Sequence, residues 1–236
     1  MLRSLLAWTI SVPATGALGA LVVLQSRRHR WHHRIPVTAQ RWGRLCLAAG
    51  GVRMSVEGLA GFNLEQSYVI MANHQSALDI PALLAATPVS LGLCFISKSS
   101  LFSIPVLGRA MQALGYVSVD RDDPREGPRV LADALARLRQ GRSVLVFPEG
   151  TYSRDGTLLP FRKGAFLLAL RSRAPVLPVG IVGSREVLPP RTRALKGDTI
   201  IVRFGAPIAT AGLGPRQLGQ LSETCRHSIA KLSSSG

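Results

Sequence analysis

From about residue 60 onward the chain is built of short, continuous apolar runs separated by helical patterns, and this alternation limits its fold more than any other feature. Tyr68–Ala72 (YVIMA) reads as a buried strand, with a helix expected over Ser76–Ala86. Cys94–Lys98 is a second strand, leading into an apolar helical stretch from Leu101 to Leu114, and Tyr116–Asp120 is a third. Leu131, Ala134, Leu135 and Leu138 recur at helical spacing, with Arg129, Asp133 and Arg137 on the other face. Gly141 should stop that helix, and Ser143–Phe147 (SVLVF) returns as a strand. A helix around Ala165–Ser172, strands at Val176–Val182 and Thr199–Phe204, and a C-terminal helix over Pro215–Leu232 complete the pattern. Pro189–Gly197 (PPRTRALKG) reads as an exposed basic loop. Continuous apolar strands alternating with helices predict an α/β fold, a mostly parallel central sheet flanked by helices. A content of 47% hydrophobic and 18% charged residues excludes intrinsic disorder.

The N-terminus follows another rule. Ser4–Gln25 carries no charge and would extend roughly 33 Å as a helix, enough to cross a hydrocarbon core. Pro13, Gly16 and Gly19 suit a membrane helix better than a soluble one. Arg27, Arg28, Arg30 and Arg34 follow, interleaved with Trp31, His29, His32 and His33, whereas only Arg3 precedes the stretch. That asymmetry predicts an inner (cytoplasmic) membrane protein with its main domain on the cytoplasmic side. Residues 1–34 are therefore expected to be a hydrophobic membrane anchor with a basic flank, and residues 35–236 the main domain. A full span, a re-entrant or interfacial anchor and a cleaved signal peptide all remain open, although a basic segment just past a cleavage site would oppose export. The histidines read as part of a solvated flank rather than a metal site.

Twenty-nine Lys and Arg against thirteen Asp and Glu leave a net charge of +16, so the partners should be anionic. Nucleic acid is not expected, because basic residues are spread along the chain without a reader motif or an aromatic stacking series. Cys46, Cys94 and Cys225 are too few and too far apart for a disulfide framework or a zinc site, which suits a reducing compartment.

Sites in α/β sheets form at strand ends. Directly after YVIMA stands Asn73-His74-Gln75-Ser76-Ala77-Leu78-Asp79, where the Asp could hold the imidazole in one tautomer and support its protonated form. Such a pair alone is equally a structural hydrogen bond. Its company is a second strand end, Pro148-Glu149-Gly150-Thr151-Tyr152-Ser153-Arg154, followed by Phe161-Arg162-Lys163-Gly164. The glycines allow close approach of backbone to a ligand, and Thr151, Ser153, Arg154, Arg162 and Lys163 are donors suited to phosphate. Arg121 stands at a third strand end. No Gly-x-Ser-x-Gly elbow is present, which argues against a serine nucleophile.

In order, Asn73-His74-x4-Asp79, Gly115-Tyr116-Val117-Ser118-Val119-Asp120-Arg121, Phe147-Pro148-Glu149-Gly150-Thr151 and Val176-Leu177-Pro178-Val179 resemble the four-block pattern of the glycerolipid acyltransferase family. The resemblance runs over about residues 60–210 and includes Lys98–Gly108 (KSSLFSIPVLG). It implies transfer of a fatty acyl chain from an acyl carrier protein or coenzyme A thioester to the free hydroxyl of 1-acylglycerol-3-phosphate. The product would be phosphatidate, in phospholipid biosynthesis. His74 would be the general base and Asp79 its orienting partner. Arg121 would bind the acceptor's phosphate, with Glu149, Gly150 and Thr151 forming that pocket. Lys98 would join the substrate-binding set, and Pro178 would shape the wall near the acyl chain. The resemblance implies no metal and no cofactor; lysophospholipid, acyl thioester and membrane lipid are the partners it implies.

Ser118 stands where the family usually has an aromatic residue, Ser100 where it has a carboxylate, and Tyr152 where it often has an Arg. Tyr152 removes a possible phosphate ligand, for which Arg154 could substitute. It also keeps open another acceptor, such as a lyso-ornithine lipid.

Overall fold

The computed structural model describes residues 1–28, 32–153 and 155–234. Part of the expected basic flank (residues 29–31) and Arg154 lie outside those residues. Nine helices and seven strands follow in the order α1 (Leu2–Ser26), α2 (Arg34–Ala49), β1 (Arg53–Glu57), β2 (Val69–Ala72), α3 (Asp79–Ala86), β3 (Cys94–Lys98), α4 (Ser99–Phe102), α5 (Leu107–Ala113), β4 (Val117–Val119), α6 (Gly127–Arg139), β5 (Val144–Val146), α7 (Lys163–Ser172), β6 (Val176–Val182), α8 (Ser184–Val187), β7 (Thr199–Phe204) and α9 (Leu218–Ser233), among the described residues.

The strands form one sheet in the order β1-β7-β6-β2-β5-β3-β4. From β6 to β4 every neighbouring pair is parallel, whereas β7 runs antiparallel to β6 and carries β1 parallel to itself. The expected mostly parallel α/β sheet is thus present, with a reversed pair at one edge. All four residues of β2 are buried, because the strand lies between helices on both faces. Tyr68, Ile70, Ala72, Leu145, Leu177 and Val179 point towards α2 and α3. Val69, Met71, Val144 and Val176 point the other way, towards α6, α7 and α9. Helix α2 meets α3 closely at Gly43, where a Cβ would lie 2.5 Å from the Pro81 carbonyl oxygen.

Two expectations need correction. The helix expected from Ser76 begins at Asp79, because residues 73–78 form a turn held by the Asp79 carboxylate. The stretch Leu101–Leu114 is two helices, interrupted at Ser103–Val106, where Val106 takes φ = +65°, a costly region for a β-branched residue. Helix α2 and strand β1 were not anticipated. The apolar residues of α2 are separated by Arg and Gln, and β1 alternates exposed and half-buried positions at an edge of the sheet.

Helix α1 is long and apolar enough to cross a membrane, yet it is fastened to the domain along its length. Arg3 donates to the Gly50 carbonyl (2.6 Å) and the Gly197 carbonyl (2.7 Å), and the Trp8 indole to the Arg193 carbonyl (2.8 Å). Ser4 accepts the Leu195 N–H (2.9 Å), Thr15 accepts the Trp42 indole N–H (2.9 Å), and Gln25 accepts the Thr38 hydroxyl (3.1 Å). The loop expected to be basic and exposed, Pro189–Gly197, is therefore a docking point for α1. On the outward side Leu2, Leu5, Leu6, Ile10, Val12, Leu21 and Leu24 remain exposed.

Candidate active site

The segment after β2 is fixed at every residue that bears on the site. Asn73 joins β2 to β6 through both ends of its amide, donating to the Ile181 carbonyl (2.9 Å) and accepting the Ile181 N–H (2.7 Å). The Ser76 hydroxyl donates to the Leu188 carbonyl (2.8 Å). His74 is held by its own main chain: its N–H donates to Glu149 Oε1 (2.8 Å), and its carbonyl accepts the Ser153 N–H (2.8 Å). The loop after β5 thereby clamps the loop after β2 from both sides.

Within this clamp, His74 Nδ1 lies 2.8 Å from Asp79 Oδ2. The same oxygen accepts the N–H groups of Gln75 (2.7 Å) and Ser76 (2.9 Å), so its surroundings are all donors. Nδ1 therefore carries the hydrogen, and Nε2 is left with its lone pair. Both residues are buried, His74 with 4% of its surface exposed. The imidazole is stacked on Phe147, with ring centroids 3.7 Å apart and planes 7° from parallel, and is flanked by Tyr152 at 4.0 Å and 31°. Its ring faces are covered, which leaves the edge as the route of approach.

Glu149 braces this arrangement. Its second oxygen accepts the Leu159 N–H (2.9 Å), so both oxygens serve backbone amides. Burial pushes its pKa up, opposed by those two hydrogen bonds. Gly150 takes φ = +72°, and a Cβ there would meet Arg162 Nε at 2.5 Å. Arg121 Nη1 donates to the Gly150 carbonyl (2.7 Å). Two guanidinium groups thus converge on Gly150. Partial burial, followed by repulsion from Arg162, lowers the Arg121 pKa, while Tyr152 and Asp122 oppose the shift.

The remaining expected site residues divide. Thr151 is exposed beside Gly150. Ser153 is buried, its hydroxyl engaged with Asp155 (3.2 Å) and the Gly156 N–H (3.1 Å), so it shapes the loop. Lys98 ends β3 and is exposed, with no hydrogen bond or ion pair to the other described site residues. Pro178 lies inside β6, opposite Met71, and its carbonyl accepts the Gly205 N–H (2.9 Å) just where pairing with β7 begins. It is a sheet residue at the end of the β6–β7 pairing, where it offers β7 a carbonyl but no N–H. Among the described residues no three His, Cys, Asp or Glu side chains gather as metal ligands. Sequence reasoning missed Phe147 and Tyr152 as partners of His74. Phe147 ended an apolar run and read as core, and Tyr152 read only as a missing Arg.

A buried His–Asp pair at the end of a parallel strand, beside paired cations, belongs to a class of proteins also visible by comparison. The sequence profile of the Acyltransferase family matches residues 53–182, and the chain belongs to that family. It is 36% identical over 180 residues to the chloroplastic 1-acyl-sn-glycerol-3-phosphate acyltransferase BAT2 of Brassica napus, covering 74% of this chain and 50% of that one. It is 33% identical over 181 residues to 1-acyl-sn-glycerol-3-phosphate acyltransferase alpha of Homo sapiens, covering 76% and 63%. The chain thus spans about half the length of the plant relative and less than two thirds of the human one. The crystal structure of the 1-acyl-sn-glycerophosphate acyltransferase PlsC from Thermotoga maritima shares the fold, with a TM-score of 0.84 at 24% identity over 100% of this chain and 96% of that one.

Proposed function

We propose that this protein transfers an acyl group from a thioester to the free hydroxyl of a 1-acylglycerol-3-phosphate, with His74 as general base. The observation that carries this reading is the His74–Asp79 pair with its free Nε2, set beside two guanidinium groups on Gly150. Nε2 takes the hydroxyl proton as the oxygen attacks the thioester carbonyl. Collapse of the tetrahedral intermediate breaks the carbon–sulfur bond, and the imidazolium returns its proton to the departing thiolate. Asp79 stabilises the charged imidazolium between these steps. A positioned base of this kind contributes roughly 10²–10⁴-fold. Arg121 and Arg162 would hold the acceptor's phosphate, with Gly150 and Thr151 at its side.

The exposed apolar side of α1 suits a protein that works on lipid at the cytoplasmic surface of a membrane. Because the helix is tied down from Arg3 to Gln25, an interfacial placement supports this reading better than a full span. The donor would be acyl carrier protein or coenzyme A thioester. Tyr152 beside His74 favours testing a second acceptor class, lyso-ornithine lipid, in parallel. Full-length protein with a labelled acyl thioester and a panel of lysolipids should yield phosphatidate from lysophosphatidate, and about 10²–10⁴-fold less with His74→Ala. Failure to acylate any lysolipid would overturn the proposal; preference for lyso-ornithine lipid would replace the acceptor.

A further inference from the structure

Three cations, Arg191, Arg193 and Lys196, stand exposed on the loop between α8 and β7. The main chain of this loop is fastened to the first turns of α1. The Arg193 carbonyl accepts the Trp8 indole N–H (2.8 Å), the Leu195 N–H donates to the Ser4 hydroxyl (2.9 Å), and the Gly197 carbonyl accepts an Arg3 N–H (2.7 Å). Because the main chain makes these bonds, the three basic side chains are left to face solvent. Of the carboxylates that border the loop, Asp198 is paired with Arg53 (2.8 Å), and Glu186 forms no ion pair with the three cations among the described residues. On the same turns of α1, Leu2, Leu5, Leu6 and Trp8 are exposed. Cations and apolar side chains therefore meet at this end of the helix.

The far end of α1 is marked in the same way, by the exposed Arg27 and Arg34 just beyond the exposed Leu24. A helix of 25 residues is about 37 Å long, so the two basic groups stand far apart, with an apolar side between them. A full span would carry one of these groups across the membrane, yet both ends of α1 are bonded to the same domain, at Gly197 and at Thr38. The arrangement fits a helix that lies in the plane of a bilayer, with its leucines among the acyl chains and the cations at the depth of the headgroups. The leucines have affinity for any bilayer. The cations discriminate, because only a negatively charged surface repays bringing them close to it. Resting on the interfacial placement of α1 proposed above, we infer that Arg191, Arg193 and Lys196 form a headgroup-reading surface that binds this protein preferentially to bilayers containing anionic phospholipid. The loop after α8 is then a second membrane contact, distant in sequence from α1 and joined to it by folding.

The test is partition of the full-length protein onto vesicles of phosphatidylcholine alone and of equal parts phosphatidylcholine and phosphatidylglycerol. A basic residue at a charged surface is worth about fivefold in partition, so Arg191→Gln/Arg193→Gln/Lys196→Gln should weaken binding to the anionic vesicles roughly 10- to 100-fold. Binding to phosphatidylcholine should stay within about twofold, since the α1 leucines are untouched. Arg139→Gln/Arg216→Gln/Lys231→Gln removes the same charge from α6 and α9, on the opposite face of the sheet, and should keep most of the preference for anionic vesicles. Raising salt from about 0.05 to about 0.5 M should erase that preference in the wild type, a reading that needs no variant to fold. Equal binding of the wild type to both vesicles at low salt would overturn the inference, as would an equal loss in the two triple variants. Loss of affinity for an acidic acyl carrier protein, with binding to anionic vesicles kept, would make the loop a protein-docking surface and overturn it too. The assay contains no thioester and no lysolipid, so failure of the acyl-transfer reading leaves its outcome unchanged. Binding to neither vesicle would remove the interfacial placement of α1 together with the inference.

Discussion

The Tyr152 ring centroid lies 4.0 Å from the centroid of the His74 imidazole, tilted by 31°. Tyr152 is 41% exposed and His74 4% exposed, so the tyrosine screens the imidazole from water. An aromatic face beside an imidazolium contributes about 0.5–2 kcal/mol. Tyr152→Phe keeps the face and should retain kcat within about threefold, whereas Tyr152→Ala should lose roughly 3- to 30-fold in kcat. Tyr152→Arg should lower the KM for a phosphate-bearing lysolipid while reducing kcat, because it adds a cation and uncovers the ring. Equal kcat for all three variants would show that the contact has no part in turnover.

Asp79 acts through His74 and also through the turn, since Oδ2 accepts the N–H groups of Gln75 and Ser76. Asp79→Asn puts an amide where three donors converge, so it should cost stability as well as activity. His74→Ala leaves the turn intact and should remove activity by about 10²–10⁴-fold without unfolding. Comparing denaturation midpoints with initial rates separates the two: an inactive but unchanged fold is expected only for His74→Ala.

Glu149 joins two loops through two backbone amides. Glu149→Gln sets an NH2 group against one N–H and should destabilise the fold by about 1–3 kcal/mol. Burial raises the folded pKa of the wild-type carboxyl above its unfolded value. The increment from that shift is therefore present below the unfolded pKa and is lost as pH rises through the folded pKa. The stability gap between wild type and Glu149→Gln should narrow as pH rises through that window, measured by urea denaturation at several pH values. A widening gap would reverse the assignment.

The outward leucines of α1 bear on where the protein works. Leu5→Asp with Leu24→Asp places two charges on exposed positions, and burial of each leucine in lipid is worth about 1.5–3 kcal/mol. The double variant should partition to the soluble fraction with an unchanged melting temperature. Deleting residues 1–34 is harsher, because the Trp42 indole loses Thr15 and an α2 face is uncovered, so aggregation is expected. Retention of the folded double variant on membranes through high-salt washes would place the anchor elsewhere, with the exposed Leu101 and Ile104 as the next segment to test.

The strands were legible in sequence wherever the sheet is buried on both faces, because a run such as Val176–Val182 has no polar position to confuse its period. Edge strand β1 was not, since its alternation is weak and it depends on β7 for its partners. His74 and Asp79 were legible because a turn with four intervening residues brings them together locally. The Phe147 and Tyr152 rings were not, because their contact with His74 depends on where a distant loop returns. Glu149 was legible as a site residue but not as a brace: its amide partners, His74 and Leu159, lie 75 and 10 residues away. The docking of α1 was equally hidden, since carbonyls at Gly50, Arg193 and Gly197 leave no mark in the sequence.

Arg121 carries the acceptor assignment. Its Nη1 is spent on the Gly150 carbonyl, which leaves the rest of the guanidinium to face a ligand beside Arg162. Partial burial is the main cause of the lowered Arg121 pKa, and repulsion from Arg162 adds to it; a phosphate between the two cations would relieve that repulsion. Loss of a charge-assisted contact of this kind should cost on the order of 1.5–3 kcal/mol. That corresponds to roughly a 10- to 150-fold fall in kcat/KM for Arg121→Ala with lysophosphatidate. Arg121→Lys keeps the charge but loses the fork, and Lys cannot both hold Gly150 and pair with phosphate in the same way, so it should rescue only partly. With a phosphate-free alcohol acceptor the loss should be much smaller. Steady-state kinetics of both variants on both acceptors, with folding checked by circular dichroism, decide the matter: equal losses on the two acceptors would make Arg121 a support for Gly150 and not a phosphate ligand.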